Sequence, residues 1–306
     1  MSERGIAASG THGLGTRDLL LVLIVCLVWA GNFLTSAFAL REVPPFLFSA
    51  VRMALLAMLL VAFLRPPPRA QWPRLIAVAL LNGALHFGTS LWALRMAGDL
   101  SSPAIVMQSY IPMAVLLAWA ILGERFGWRT GSAIALSFAG VLVLGFDPLV
   151  LDHPASLLMM LFSAFLIALG TVLMRGLSGI DAISLQGWTA VIGVVPLLAI
   201  SALIEPGGFA ALRDAGPAVW LAAAYSAVFA SLIGHTLFFR LVQRHRVVDV
   251  TPYLLLTPVF AVALGILVWG DRPGPQLWLG GAMVLGGVLA IALRARAKAM
   301  ENAARS

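Results

Sequence analysis

Long apolar runs, broken by short polar punctuation, fill the chain from residue 18 to residue 293. Ten of them follow one another, at 18–40, 45–64, 72–96, 100–122, 128–146, 154–174, 182–204, 217–240, 248–270 and 275–293. Each is close to the roughly 20 apolar residues that an α-helix needs to cross a hydrocarbon core of about 30 Å. Proline, glycine and charge occupy the gaps, as in Val43-Pro44-Pro45, Arg65-Pro66-Pro67-Pro68-Arg69, Asp147-Pro148 and Glu205-Pro206-Gly207-Gly208. Loops this short make neighbouring helices antiparallel and leave no room for an enzymatic domain. The pattern predicts an all-α membrane protein of ten transmembrane helices.

The pattern is also written twice. Gly123-Glu124-Arg125-Phe126-Gly127 separates the fourth run from the fifth, and Gly270-Asp271-Arg272-Pro273-Gly274 separates the ninth from the tenth. Glu124 and Asp271 are 147 residues apart, as are Gly127 and Gly274, and Gly140 and Gly287; Pro112 and Pro258 differ by 146. An offset shared across two helices and their turn marks an internal repeat. The expected organisation is a tail over 1–17, a five-helix repeat over 18–146, a second over 154–293, and a tail over 294–306. Five is an odd number, so the second repeat enters the membrane from the opposite face. Inverted repeats around a central cavity are a recurrent transporter design.

Charge sets the orientation. With the N-terminus inside, fifteen of the 20 Lys and Arg fall on the inner side. Four fall outside (Arg41, Arg95, Arg213 and Arg272), and Arg52 lies within the second run. The positive-inside rule then places both termini in the cytoplasm. Composition closes other routes: 61% of residues are hydrophobic and 11% charged, against roughly 25% charged in a soluble domain. The basic residues are dispersed between runs, which excludes a nucleic-acid footprint. Cys26 is the only cysteine, so no internal disulfide or zinc cluster can form. The first run is too long for a signal-peptide core and no small-residue cleavage site follows it. No acidic residue falls inside an apolar core, which argues against a carboxylate proton relay and a cation cage and favours a substrate of little net charge with an apolar body. No metal or cofactor is implied, and no catalytic motif is present, so the chain is not expected to be an enzyme.

Trp29-Ala30-Gly31-Asn32-Phe33, Arg52, Ala93-Leu94-Arg95, Pro112 with Gly123-Glu124-Arg125, and Pro258 with Gly270-Asp271 resemble the EamA branch of the drug/metabolite transporter superfamily. The likeness covers nearly the whole chain; Asp271 stands where the family usually has Glu. In character the chain is similar to bacterial exporters of aromatic and other neutral amino acids, the YddG type. The resemblance implies a multi-pass protein of the bacterial inner membrane that exports neutral, notably aromatic, amino acids and related small metabolites by alternating access. Its partners are then a small-molecule substrate and the lipid bilayer. A monomer suffices, because both halves of the cleft come from one chain. Export of other metabolites or drugs is the alternative within transport, and a membrane-embedded enzyme or scaffold the alternative outside it.

Polar groups inside a bilayer tend to face the bundle interior. Asn82, His86 and Ser90 recur at helical spacing in the third run, and Ser231, His235 and Phe238 in the eighth. Each histidine has two readings: recognition of a substrate carboxylate or proton coupling, or a hydrogen bond to a neighbouring helix. Trp29 and Asn32 share a side of the first run, and Asn32 and Gln108 suit either a zwitterion or interhelical bonding. Ser163, with Gly170 seven residues on, marks a place of close approach. Tyr110 and Trp188 sit deep enough by sequence to stack on an aromatic ligand, although most Trp and Tyr of such chains belong to interfacial belts. Arg52 either reaches the interface or attracts an anionic group. Pro112 and Pro258 predict kinks at matched positions, and Glu124 and Asp271 are expected in hinge capping or gate pairing.

Overall fold

The computed structural model describes residues 15–244 and 250–305; most of the expected tail over 1–17 and the start of the run expected at 248–270 lie outside them. Among the described residues every regular element is helical. Eight helices are long and apolar enough to cross a membrane: α1 (Thr16–Ala39), α2 (Pro45–Phe63), α3 (Arg69–Ala97), α4 (Ser101–Leu122), α6 (Pro154–Met174), α7 (Ala182–Ile204), α8 (Pro217–Phe238) and α10 (Pro275–Ala297). The runs expected at 128–146 and 248–270 form shorter apolar helices, α5 (Trp128–Leu144) and α9 (Tyr253–Trp269). Asp147-Pro148 ends the first, because Asp147 caps a separate turn over Pro148–Leu151. A 3₁₀ turn over Thr251–Leu255 leads into the second, which carries the buried Pro258 in its next turn.

The punctuation does what its chemistry dictates. Pro45, Pro154 and Pro217 stand at first helical positions, where a missing N–H costs nothing. Gly123 (φ 69°) and Gly270 (φ 87°) end α4 and α9 in the left-handed region, which glycine enters without strain. Behind each, the next N–H reaches back over the last turn: Glu124 to the Ala118 carbonyl (3.3 Å) and Asp271 to the Gly265 carbonyl (2.9 Å). The two sequence-matched hinges therefore share one backbone turn.

Packing pairs the helices across the halves: α5 with α10, α2 with α7, α3 with α6, and α1 with α8 and α9. The α5–α10 crossing is closest. A Cβ on Gly140 would stand 2.6 Å from the Gly280 carbonyl oxygen, and one on Gly287 2.5 Å from that of Ala133. Ser137 donates to the Val284 carbonyl at 3.4 Å. Moving one partner forward by 147 residues and the other back by 147 converts the Gly140–Gly280 contact into the Gly287–Ala133 contact. Ser137 and Val284 are themselves 147 apart.

The two ends of the bundle differ. On the Asp271 face, acidic side chains bind helix starts drawn from the other half of the chain. Asp271 accepts from the Leu100 and Ser101 amides (3.0 and 2.9 Å) and the Ser101 hydroxyl (2.5 Å). Glu205 accepts from the Phe46 and Leu47 amides (2.8 and 3.0 Å), Asp147 from Leu277 (2.9 Å) and Glu42 from Gly216 (2.8 Å). Carboxylates suit these places because unpaired N–H groups and the helix dipole both favour negative charge. Trp269 donates to the Gly98 carbonyl (2.9 Å) while the Arg41 guanidinium lies 4.1 Å from the Trp269 ring centre. On the Glu124 face, the Glu124–Arg175 ion pair (2.7 Å) is half exposed and contributes little. Burial changes along α4: Ser101–Met107 is buried throughout and packs on α6, α9 and α10, whereas Tyr110–Leu122 buries only Pro112 and Ala118 and packs chiefly on α6.

Candidate substrate-binding site

Three helices carry π-helical segments, Ala79–Leu85 in α3, Tyr225–Gly234 in α8 and Gly265–Trp269 in α9, and the first two each end at a histidine, His86 and His235. Such segments concentrate at functional sites because they re-aim side chains. Each histidine therefore stands directly after a π segment, one in α3 and one in α8.

Their surroundings differ. The buried His86 ring bonds through Nδ1 to the Ser163 hydroxyl (2.9 Å), and the same hydroxyl donates to the His86 carbonyl (2.9 Å). Asn82 meets the same helix: its amide oxygen occupies the space that a Cβ on Gly170 would need. That oxygen is buried without a hydrogen-bond partner among the described residues. The Asn82–His86 stripe and the Ser163–Gly170 stripe therefore face each other and join α3 to α6. Ser90 turns away, its hydroxyl bonding back to the Phe87 carbonyl at 3.1 Å.

On the other side, Trp29, His235 and Phe238 come together, all half-buried. The Trp29 ring centre is 5.3 Å from that of His235 and 5.9 Å from that of Phe238, and its N–H donates to the Ala230 carbonyl (3.0 Å). His235 Nδ1 lies 3.1 Å from the Ser231 carbonyl, so Ser231, itself buried, enters the cluster through its backbone. Asn32 accepts from the Ser226 hydroxyl, which joins α1 to α8. Gln108 stands where α4 is interrupted, between Ser101–Met107 and Tyr110–Leu122. The break lies one turn before Pro112, whose ring pushes on the carbonyl four residues back and cannot donate to it. In α9 the 3₁₀ turn likewise ends three residues before Pro258. Trp188, expected deep, instead donates to the Arg65 carbonyl (2.8 Å) and packs edge-on against Trp72 on the Glu124 face.

Arg52 is 3% exposed, and its guanidinium lies 4.1 Å from the centre of the Phe87 ring. It is also within electrostatic reach of both His86 and His235. It does not snorkel to the surface, and no carboxylate of the described residues pairs with it. A desolvated cation over an aromatic face gains about 2 kcal/mol, whereas a buried charge left without its partner costs about 3–5 kcal/mol. Phe87 was invisible as a partner in the sequence, since nothing in the run ties it to Arg52.

At the Asp271 face, Asp99 is buried, and its carboxylate accepts from the Ser102 amide (2.6 Å) and hydroxyl (2.8 Å). Burial pushes its pKa up to about 7; the Ser102 hydrogen bonds oppose the rise, and the charges of Asp271 and Asp147 add to it.

Known proteins share this architecture. A solved crystal structure superposes with a TM-score of 0.60 at 19% identity, over 92% of this chain and 99% of its own, a likeness of fold. A probable amino-acid metabolite efflux pump of Escherichia coli is 25% identical over 90% of this chain and 94% of its own. Its Salmonella typhimurium counterpart of the same name is 26% identical over the same shares. The transporter YvbV of Bacillus subtilis is 30% identical over 81% of this chain and 82% of its own. The profile of the EamA-like transporter family matches twice, over residues 16–146 and 154–293. With almost the whole length matched, the chain belongs to the EamA-like transporter family, and is a multi-pass membrane transporter and not an enzyme.

Proposed function

We propose that this transporter exports neutral, notably aromatic, amino acids and related small metabolites from the cytoplasm by alternating access. Ten membrane helices form two inverted repeats about a central path. The observation that carries this reading is the α5–α10 crossing, where exchanging partners by 147 residues maps one set of close contacts onto the other. A pseudo-twofold axis passing between Ser137 and Val284 accounts for it. The names of the two enterobacterial relatives support amino acids as cargo, and the Trp29–His235–Phe238 cluster offers rings to an aromatic body.

The excess of basic residues on the Glu124 side makes that face cytoplasmic, with both termini inside a bacterial inner membrane. The conformation described here, tied at the Asp271 face, is then the one that loads from the cytoplasm. Asp271 and Glu124 act as gate groups, and the breaks before Pro112 and Pro258 are where α4 and α9 bend. One chain contains the whole path.

Proteoliposomes loaded with labelled phenylalanine, leucine, lysine or a non-amino-acid metabolite test the reading. Protein-dependent release of phenylalanine and leucine, with lysine retained, is expected. Release of the other metabolites alone would overturn the choice of cargo.

A further inference from the structure

We propose that Arg52 is the anion-recognition point of the transport path and selects substrates that carry a carboxylate. The inference rests on the export reading for the path itself and adds the chemical class that the path admits.

Four observations converge. Arg52 is a nearly fully buried cation whose structural contact is the Phe87 ring; a ring face balances the charge only in part, so the site lacks a counter-ion that the protein does not supply. Every acidic residue of the chain lies at or beyond the ends of the apolar runs, and no carboxylate of the described residues pairs with Arg52. The fold does not demand a cation at this depth either. α7, the second helix of the other matched half and the partner on which α2 packs, carries no charged residue from Ala182 to Ile204. Finally, His86 and His235 approach the Arg52 charge from α3 and α8. A cation with two imidazoles in reach of its charge attracts anions and disfavours a ligand whose only charge is an ammonium group.

A guanidinium holds a carboxylate through two parallel N–H bonds, which a lysine cannot reproduce. Trp29 and Phe238 beside His235 supply apolar surface for the rest of the ligand. The preferred class is therefore a small carboxylate with an apolar body. Amino acids qualify, and so do their analogues without the amino group; amines without a carboxylate do not.

Three probes with one aromatic body separate the possibilities: 3-phenylpropionate, 3-phenylpropanamide and phenethylamine, titrated onto the full chain in lipid nanodiscs at neutral pH. The wild type is expected to bind the carboxylate at least about tenfold more tightly than the amide, and the amine more weakly still. Arg52→Gln brings carboxylate and amide within about threefold, and Arg52→Lys keeps part of the preference because the charge remains while the fork is lost. Equal binding of amide and carboxylate by the wild type, or an undiminished preference in Arg52→Gln, overturns the proposal. The wild-type series decides by itself if Arg52→Gln does not fold. Should 3-phenylpropionate bind through Arg52 while vesicles release no amino acid, the export reading falls and this one stands. Should vesicles release phenylalanine and phenylalaninamide alike, this one falls and export stands.

Discussion

At the scale of single residues, placement inside a low-dielectric bundle gives ordinary side chains unusual properties, and Asp99 shows how. Its pKa is raised to about 7, with burial the largest cause. Between about pH 4 and pH 7 the folded chain keeps a proton on Asp99 that the unfolded chain has released. Stability therefore falls as pH rises through that window and is level above it. Asp99→Asn retains an acceptor for the Ser102 amide and has no charge to bury. It is expected to be more stable than the wild type by a few kcal/mol at pH 8 and to match it near pH 4. Thermal unfolding followed at both pH values checks this; parallel melting curves for the two proteins would count against it. Gly170 gives a second residue-scale lesson. In the sequence it marked a place of close approach without naming what approaches, and the structure supplies Asn82.

At the scale of helices, eight of the apolar runs were legible to within about four residues, while those at 128–146 and 248–270 came out shorter. Hydrocarbon thickness, N-terminal prolines and left-handed glycines set boundaries that the letters display directly. Helix interiors were less so. The π segments of α3 and α8 and the break at Gln108 answer to tertiary packing, and no local pattern announces them. The acidic groups bound to helix starts were also hidden, because each acceptor and its N–H partners are separated by more than a hundred residues, as with Asp271 and Ser101. That tie can be tested on its own. Asp271→Ala removes an acceptor shared by two amides and a hydroxyl and is expected to weaken the closed Asp271 face by about 1–3 kcal/mol. Hydrogen exchange of the segment over 100–107 should then quicken at least about fivefold, with the 123–130 segment unchanged. Unaltered exchange at 100–107 would show that Asp271 does not hold this face closed.

At the scale of the whole molecule, duplication was the strongest message of the sequence, since a 147-residue offset survives in glycines and hinges where little else is shared. Direction of opening was not readable, because it depends on which of two near-equivalent faces is tied, and hinges as alike as Glu124 and Asp271 differ only in what they touch. The proposed transport cycle opens the two faces in turn. Spin labels at Leu20 and Ile121 report on the Glu124 face, and labels at Leu158 and Val268 on the Asp271 face; all four side chains are at least 48% exposed. The sole cysteine, Cys26, is buried and is replaced by serine for labelling. Pulsed electron–electron distances would be taken in nanodiscs with and without saturating phenylalanine. The two distances are expected to change in opposite senses, one shortening as the other lengthens. Distances that change in the same sense, or that both stay fixed in a protein that transports, would contradict it.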